Sequence, residues 1–215
     1  MKKIIILALF LPILSWAQEE KKEKKPKKNG IGIGIKAGLN FANVTNASSI
    51  NSSSHTGFQV GAFFAPASKR ILGYRTELIF SRQGYDYKSS NNTGTVNLDY
   101  IIMPHLMTIN ITKYVQLQFG TQVAILLNAK ADSSHENSGG SNPYGAMMDY
   151  YNRFDYGLAG GIELHPVKGL LIGARLNVSL GNMYKDPSAM MMQPSFIPKV
   201  DVKNNVVQIF AGWRF

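Results

Sequence analysis

The side chains of this 215-residue chain that could do chemistry fall into four thin groups. Histidines stand only at 55, 105, 135 and 165, with no HxH, HxxxH or HExxH spacing, so no metal site is expected. Serines 52–54 beside His55 place hydroxyls near an imidazole, the raw material of a hydrolytic site. Ser-rich stretches produce such neighbours by chance, so no catalytic residue is expected. Met147, Met148, Met190, Met191 and Met192 offer thioethers that suit soft copper(I) or an adaptable apolar contact patch. Packing of long loops, with Tyr144, Tyr150, Tyr151 and Phe196, accounts for them more simply, a contact patch comes next, and no cofactor is expected.

The fourth group is charged: Lys36, Arg75, Glu77, Asp99, Asp155, Glu163, Arg175 and Arg214. Each lies on the small-or-polar side of a stretch whose other side is apolar. An unpaired ion in a confined interior is costly, so these residues are expected to pair into an ionic network that fills the space they face. A gated polar path is the alternative use of the same residues.

Eight stretches with a period of two position them. In the first, Ile31, Ile33, Ile35, Ala37, Leu39 and Phe41 alternate with Gly32, Gly34, Lys36, Gly38 and Asn40. The same pattern recurs over 57–64, 73–81, 115–125, 154–164 and 170–179. The stretch 95–109 is apolar on both faces; Val96, Leu98, Tyr100, Ile102 and Leu106 are expected to face outward, which turns Asn97, Asp99 and His105 inward. The last stretch sets Val207, Ile209, Ala211, Trp213 and Phe215 on one face and ends the chain on an aromatic.

Between the stretches, long segments (42–56, 85–94, 128–152, 182–204) alternate with short ones (65–70, 110–114, 165–169). That alternation is expected when one membrane face carries loops and the other carries turns. The charged and small face holds Gly, Gln, Arg and Glu, with almost no Leu or Val. A soluble barrel cannot build a core from such residues, whereas a narrow membrane barrel can accept them inside. The fold expected is all-β: an eight-stranded antiparallel up-and-down transmembrane β-barrel.

The start of the chain agrees. Lys2 and Lys3 precede an apolar run, 4–14, and Ser15-Trp16-Ala17 supplies a small-x-small cleavage pattern. Residues 1–17 therefore read as a signal peptide, 18–29 as a basic disordered periplasmic tail, and 30–215 as the barrel. The chain carries 23 basic and 13 acidic residues, a formal +10. Removing Lys2, Lys3 and the tail's six Lys and three Glu leaves 15 against 10, or +5, so half the excess lies outside the barrel. With export, the basic tail does not imply nucleic acid. The absence of cysteine excludes a disulfide framework.

Several pieces carry a resemblance: IGIGIKAGLNFANV (31–44), LGYRTELIFSRQGYDY (72–87), LDYIIMPHL (98–106) and GGIELHPVKGLLIGARLNVSLGNM (160–183). Together they resemble the small outer-membrane β-barrel family of Bacteroidetes, labelled PorT-like or porin-family. The resemblance covers about residues 30–215. One departure is the family's Tyr-x-Glu-x-Pro pattern, which here reads Tyr100-Ile101-Ile102-Met103-Pro104, without the acid. The closing strand is similar to those of outer-membrane barrels, which implies recognition by the barrel-assembly machinery.

The function expected is non-enzymatic: an outer-membrane barrel whose long loops (42–56, 85–94, 128–152, 182–204) serve surface binding or envelope stabilisation. The alternative is a narrow conduit or binding site for a small hydrophobic solute. The partners implied are outer-membrane lipid and an extracellular ligand or protein at the loops, with the tail and the C-terminus periplasmic.

Overall fold

The computed structural model describes residues 32–45, 53–66, 71–88, 93–133, 145–146, 148, 150–185 and 203–215. The stretches read as signal peptide and tail lie outside these residues, as do Met147, Met190, Met191 and Met192.

Among the described residues nine strands form: β1 (Ile33–Thr45), β2 (Ser53–Phe64), β3 (Leu72–Lys88), β4 (Thr93–Asn110), β5 (Val115–Ser133), β6 (Gly145–Ala146), β7 (Phe154–Leu164), β8 (Leu170–Ser179) and β9 (Lys203–Arg214). Eight of them make a closed antiparallel barrel in which each strand pairs with the next and β9 pairs with β1. The two-residue β6 only adds to the edge of β5. Closure pairs every wall strand on both sides over the body of the barrel, which is what a sheet surrounded by hydrocarbon requires. Beyond Ile125, β5 outruns β7 and has an edge to which β6 adds.

The polarity of the wall is inside-out. Ile35, Leu39, Val60, Leu78, Phe119, Leu158, Leu176 and Ile209 are exposed on the outside. Lys36, Asn40, Gln59, Arg75, Glu77, Gln118, Glu163, Arg175 and Gln208 are buried inside. A soluble barrel has the opposite arrangement.

Strand β4 departs from the expected register. Val96, Leu98, Tyr100, Ile102 and Leu106 face the interior and are buried, while His105 lies on the outer face, where its Nδ1 is 2.8 Å from the Tyr74 hydroxyl. Both faces of β4 are apolar, so its period could not choose between them. The interior does choose: β5 presents the small residues Ala124, Ala129 and Ala131 there, and the large side chains of β4 fill the space beside them.

A bulge accompanies this packing. Asp99 opposes Asn128 and Tyr100 opposes Leu126, leaving Leu127 unopposed. Before the bulge the even-numbered residues of β5 point inward (Gln122, Ala124, Leu126); after it the odd-numbered ones do (Ala129, Ala131). An extra residue in one strand shifts side-chain phase in this way.

The strands also run further than their alternation suggests. β1 continues to Thr45, β3 to Lys88 and β5 to Ser133, so much of the sequence expected as loops 42–56, 85–94 and 128–152 is barrel wall. The wall is uneven as a result: β3, β4 and β5 have 17, 18 and 19 residues, whereas β7 and β8 have 11 and 10. At the opposite end the connections are tight. Gly169 has φ 91°, and a Cβ there would meet the Trp213 ring at 2.8 Å, so the turn before β8 needs glycine.

Candidate functional site: the filled barrel interior

Both described termini, Gly32 and Phe215, lie at the turn end of the barrel, where the Phe215 amide donates to Ile33 O at 2.9 Å. From that end outward the interior is stacked in layers of different chemistry.

The first layer is ionic. Glu77 on β3 accepts two parallel hydrogen bonds from Arg175 on β8, Nη1 to Oε2 at 2.7 Å and Nη2 to Oε1 at 2.9 Å. Lys36 Nζ on β1 donates to the same carboxylate at 2.8 Å. Arg75 makes a second fork with Glu163 on β7, at 2.5 and 2.7 Å. Gln118 ties the two forks together: its Nε2 donates to Glu163 at 2.9 Å and its Oε1 accepts from Arg175. Bidentate charge-assisted pairs of this kind fix geometry as well as supplying attraction.

Aromatic rings support the cations. Lys36 Nζ lies 3.9 Å from the centroid of Phe210, and the Arg75 guanidinium lies 4.5 Å from that of Phe63. His165 at the turn end brings Nε2 within 3.1 Å of Glu163 Oε1.

Amides form the second layer. Asn40 Nδ2 lies 2.9 Å from each of three acceptors, Ser81 Oγ, Phe58 O and Arg82 O. Gln208 donates to Asn40 Oδ1 at 3.2 Å, Gln83 Nε2 to Ser81 Oγ at 2.9 Å, and Asn204 Nδ2 to Gln83 Oε1. Each of these polar groups comes from an inward position of its strand, where burial would be costly without a partner.

The third layer, toward the loops, is apolar with a hydroxyl cluster set into it. Val96, Leu98, Tyr100 and Leu126 pack with Tyr85, Tyr151, Tyr184 and Met183. The Tyr85 hydroxyl meets those of Tyr151 and Tyr184 at 3.1 and 2.5 Å. Burial pushes the Tyr151 and Tyr184 phenols well above their usual value.

Of the eight charged residues singled out by alternation, the structure brings Lys36, Arg75, Glu77, Glu163 and Arg175 together. Asp99 does not join them: at the bulge its carboxylate turns to Arg82, 2.7 Å from Nε, near the outer rim. Asp155 instead accepts from Ser179 Oγ at 2.6 Å and from the Tyr156 amide at 2.8 Å. Arg214 reaches the carbonyl of Ala65 at the turn-end mouth, at 2.7 Å.

Sequence reasoning gave no site role to Gln118, His165, Tyr85 or Tyr184, and named Tyr151 only as loop packing. Gln118 did carry a signal, its place on the inward face of β5. For the tyrosine cluster the sequence offered only the expected loop packing of Tyr151 with Met148 and Tyr150. Its hydroxyl contacts with Tyr85 and Tyr184 had no signal, because Tyr151 and Tyr184 come from segments outside the long strands. Met148 packs against that cluster. In the closing strand, Val207, Ile209, Ala211, Trp213 and Phe215 all face outward and are exposed.

Near the rim, His55 Nδ1 lies 3.2 Å from Asp86 Oδ1, but the Ser54 hydroxyl donates to Ala42 O at 3.1 Å, away from that pair. Among the described residues no group of three or more His, Cys, Asp or Glu side chains is arranged to hold a metal.

A closed antiparallel wall with an apolar exterior and a polar, packed interior defines the class: a small β-barrel of the outer membrane. The chain belongs to the family of the outer membrane protein beta-barrel domain, whose model matches residues 16–185. Among curated proteins, no sequence matches it.

The chain is similar to several solved structures. Neisserial surface protein A (NspA) is 14% identical with a TM-score of 0.55, covering 86% of this chain and 97% of its own. Ail, the attachment invasion locus protein of Yersinia pestis, is 18% identical with a TM-score of 0.49, covering 86% of this chain and 99% of its own. OprG of Pseudomonas aeruginosa is 13% identical with a TM-score of 0.44, covering 85% and 95%. The likeness to NspA is one of fold.

Proposed function

We propose that the protein is a closed, non-enzymatic barrel that acts at its loop end, in surface binding or in stabilising the envelope. The observation that supports this most is the Arg175–Glu77 fork, which together with Lys36, Arg75, Glu163 and Gln118 fills the interior across its width. An eight-stranded barrel has room inside for little more than its own side chains. Ions pinned by bidentate partners are poor gating elements, so solute has no path along the axis.

In this reading the turn end, with both termini, is periplasmic, and the loop end faces outward. Residues 1–17 direct export and are removed, and 18–29 remain as a solvated tail. The outward stripe Val207, Ile209, Ala211, Trp213 and Phe215 is the feature that the barrel-assembly machinery reads. The PorT-like barrels of Bacteroidetes are the finer grouping favoured by the quoted sequence pieces. Planar-bilayer recording tests the closed interior: conductance at background is expected, and discrete open steps in the wild-type protein overturn it. Removal of residues 134–144 and 186–202 is expected to leave a heat-modifiable barrel while abolishing binding at the cell surface or weakening resistance of the envelope to detergent.

One observation favours a second reading. The loop-end half of the interior is lined by Val96, Leu98, Tyr100 and Leu126, and the wall beside it drops at β7 and β8. That arrangement suits an apolar solute held near the rim. Saturable binding of a small apolar fluorophore, abolished by Leu98→Glu, is the result that would establish it.

A further inference from the structure

Between the amide layer and the tyrosine cluster lies a cavity of about 10 Å³, room for one water-sized sphere. Its lining includes Gln122 on β5, Asn177 on β8, Asn204 on β9 and Asp155 on β7. Gln122, Asn177 and Asn204 are each more than nine-tenths buried. Each also keeps one side-chain atom without a hydrogen-bond partner, and in every case it is the oxygen: Gln122 Oε1, Asn177 Oδ1 and Asn204 Oδ1.

Asn204 Nδ2 donates to Gln83 Oε1, whose own Nε2 donates to Ser81 Oγ, which leaves the Asn204 oxygen over. Three orphaned amide oxygens and a carboxylate therefore come from four different strands to one small cavity. Buried acceptors without partners are costly, and natural interiors satisfy them.

The chemistry of the set decides what would satisfy it. An anion is excluded by four oxygen ligands, one of them a carboxylate. A single water has two protons and would leave part of the set unpaired. A hard cation has no such limit and prefers this mixture of carboxylate and amide oxygens.

We propose that this cavity is a binding site for one hard, oxygen-preferring cation of sodium or calcium type, held by Asp155, Gln122, Asn177 and Asn204. Bound there, the ion ties β5, β7, β8 and β9 together just below the tyrosine cluster, and so braces the side of the barrel whose wall is lowest.

The test uses the full-length barrel refolded in zwitterionic detergent, with unfolding midpoints compared in choline, sodium and calcium chlorides at equal ionic strength. Choline is too large for the cavity and sets the baseline. A rise in midpoint over choline is expected; a rise at lower concentration with calcium marks a divalent site, and a rise with sodium alone marks a monovalent one. Asp155→Asn is expected to raise the concentration needed by about tenfold or more, since ligand charge sets affinity in such sites.

Should Asp155→Asn fail to fold, a second readout is independent of it. Terbium, a calcium mimic, is sensitised by nearby tyrosine, and Tyr100 lines the cavity. Terbium emission that calcium displaces, and that falls in Tyr100→Phe while the calcium-induced midpoint shift persists, supports the site. Identical midpoints in all three salts, or a calcium shift unchanged in Asp155→Asn, overturns it.

Discussion

Arg175 and Glu77 stand on strands four steps apart in either direction around the eight-stranded wall, and their paired hydrogen bonds of 2.7 and 2.9 Å cross the full interior. The contact joins residues 98 apart in sequence. A pair that spans the barrel in this way couples closure of the wall to neutralisation of the interior, because Arg175 lacks its carboxylate partner until β8 has taken its place opposite β3.

Removing the shared carboxylate is therefore expected to be severe. Glu77→Gln leaves Lys36 and Arg175 buried without their common partner, and breaking a buried pair from one side costs roughly 3–5 kcal/mol. The expected outcome is a large fall in the urea midpoint of the refolded barrel. Lys36→Met should be milder, since Glu77 keeps both Arg175 hydrogen bonds. Equal losses for the two variants would mean that Lys36, not Arg175, is the main partner.

The same network should govern permeability. Arg175→Ala removes the side chain that crosses the lumen and is also in contact with Gln118. Bilayer conductance is expected to rise from background to small, resolvable steps in Arg175→Ala, and to stay at background in Arg82→Ala, whose partner Asp99 lies at the rim. Silence in both variants would mean that the amide layer closes the barrel without the ions.

These residues also mark how far the sequence could be read. Alternation made the barrel legible because the wall separates hydrocarbon from a polar interior at every second residue, and it set Lys36, Arg75, Glu77, Glu163 and Arg175 on the inward side. It could not orient β4. Ile102 and Leu106 have the apolar neighbours Ile101, Met103 and Met107. Val96 and Leu98 alternate with Thr95, Asn97 and Asp99 as an outward-facing stretch would, although the interior is apolar at their depth. The interior changes along its axis from ions to amides to hydrocarbon and phenol, and a period of two has no information about depth. Leu127 shows the same limit on a local scale: a single unopposed residue reverses the phase of β5 beyond it, and nothing in the run Ala124-Ile125-Leu126-Leu127-Asn128 announces the bulge.

The tyrosine layer predicts a pH dependence at the alkaline end. Burial raises the Tyr151 and Tyr184 phenols well above their ordinary value, so the folded state disfavours the phenolates. Their contribution to stability is full below the unfolded pKa, near 10, and is lost as pH rises beyond it toward the folded values. The unfolding midpoint should hold up to about pH 10 and fall above it. Tyr151→Phe and Tyr184→Phe should flatten that fall, and ultraviolet titration should show two fewer late-ionising phenols in the double variant. A fall that begins well below that range would point to a different titrating group.

The closing strand separates folding from delivery. The Phe215 amide hydrogen-bonds to Ile33 O at 2.9 Å, but its ring is exposed on the outer wall, so deletion of this residue costs one backbone contact and little interior packing. Refolding of the shortened chain into detergent is accordingly expected to proceed with a nearly unchanged midpoint. In cells, the amount of heat-modifiable barrel in the outer membrane should drop several-fold if assembly factors read the terminal aromatic stripe. Replacement of Phe215 by Trp should restore that amount, because it keeps an aromatic at the end of the stripe, whereas replacement by Ser should not. Equal losses in detergent and in cells would instead assign Phe215 a role in holding β9 to β1, and the stripe would be no more than the lipid-facing side of the last strand.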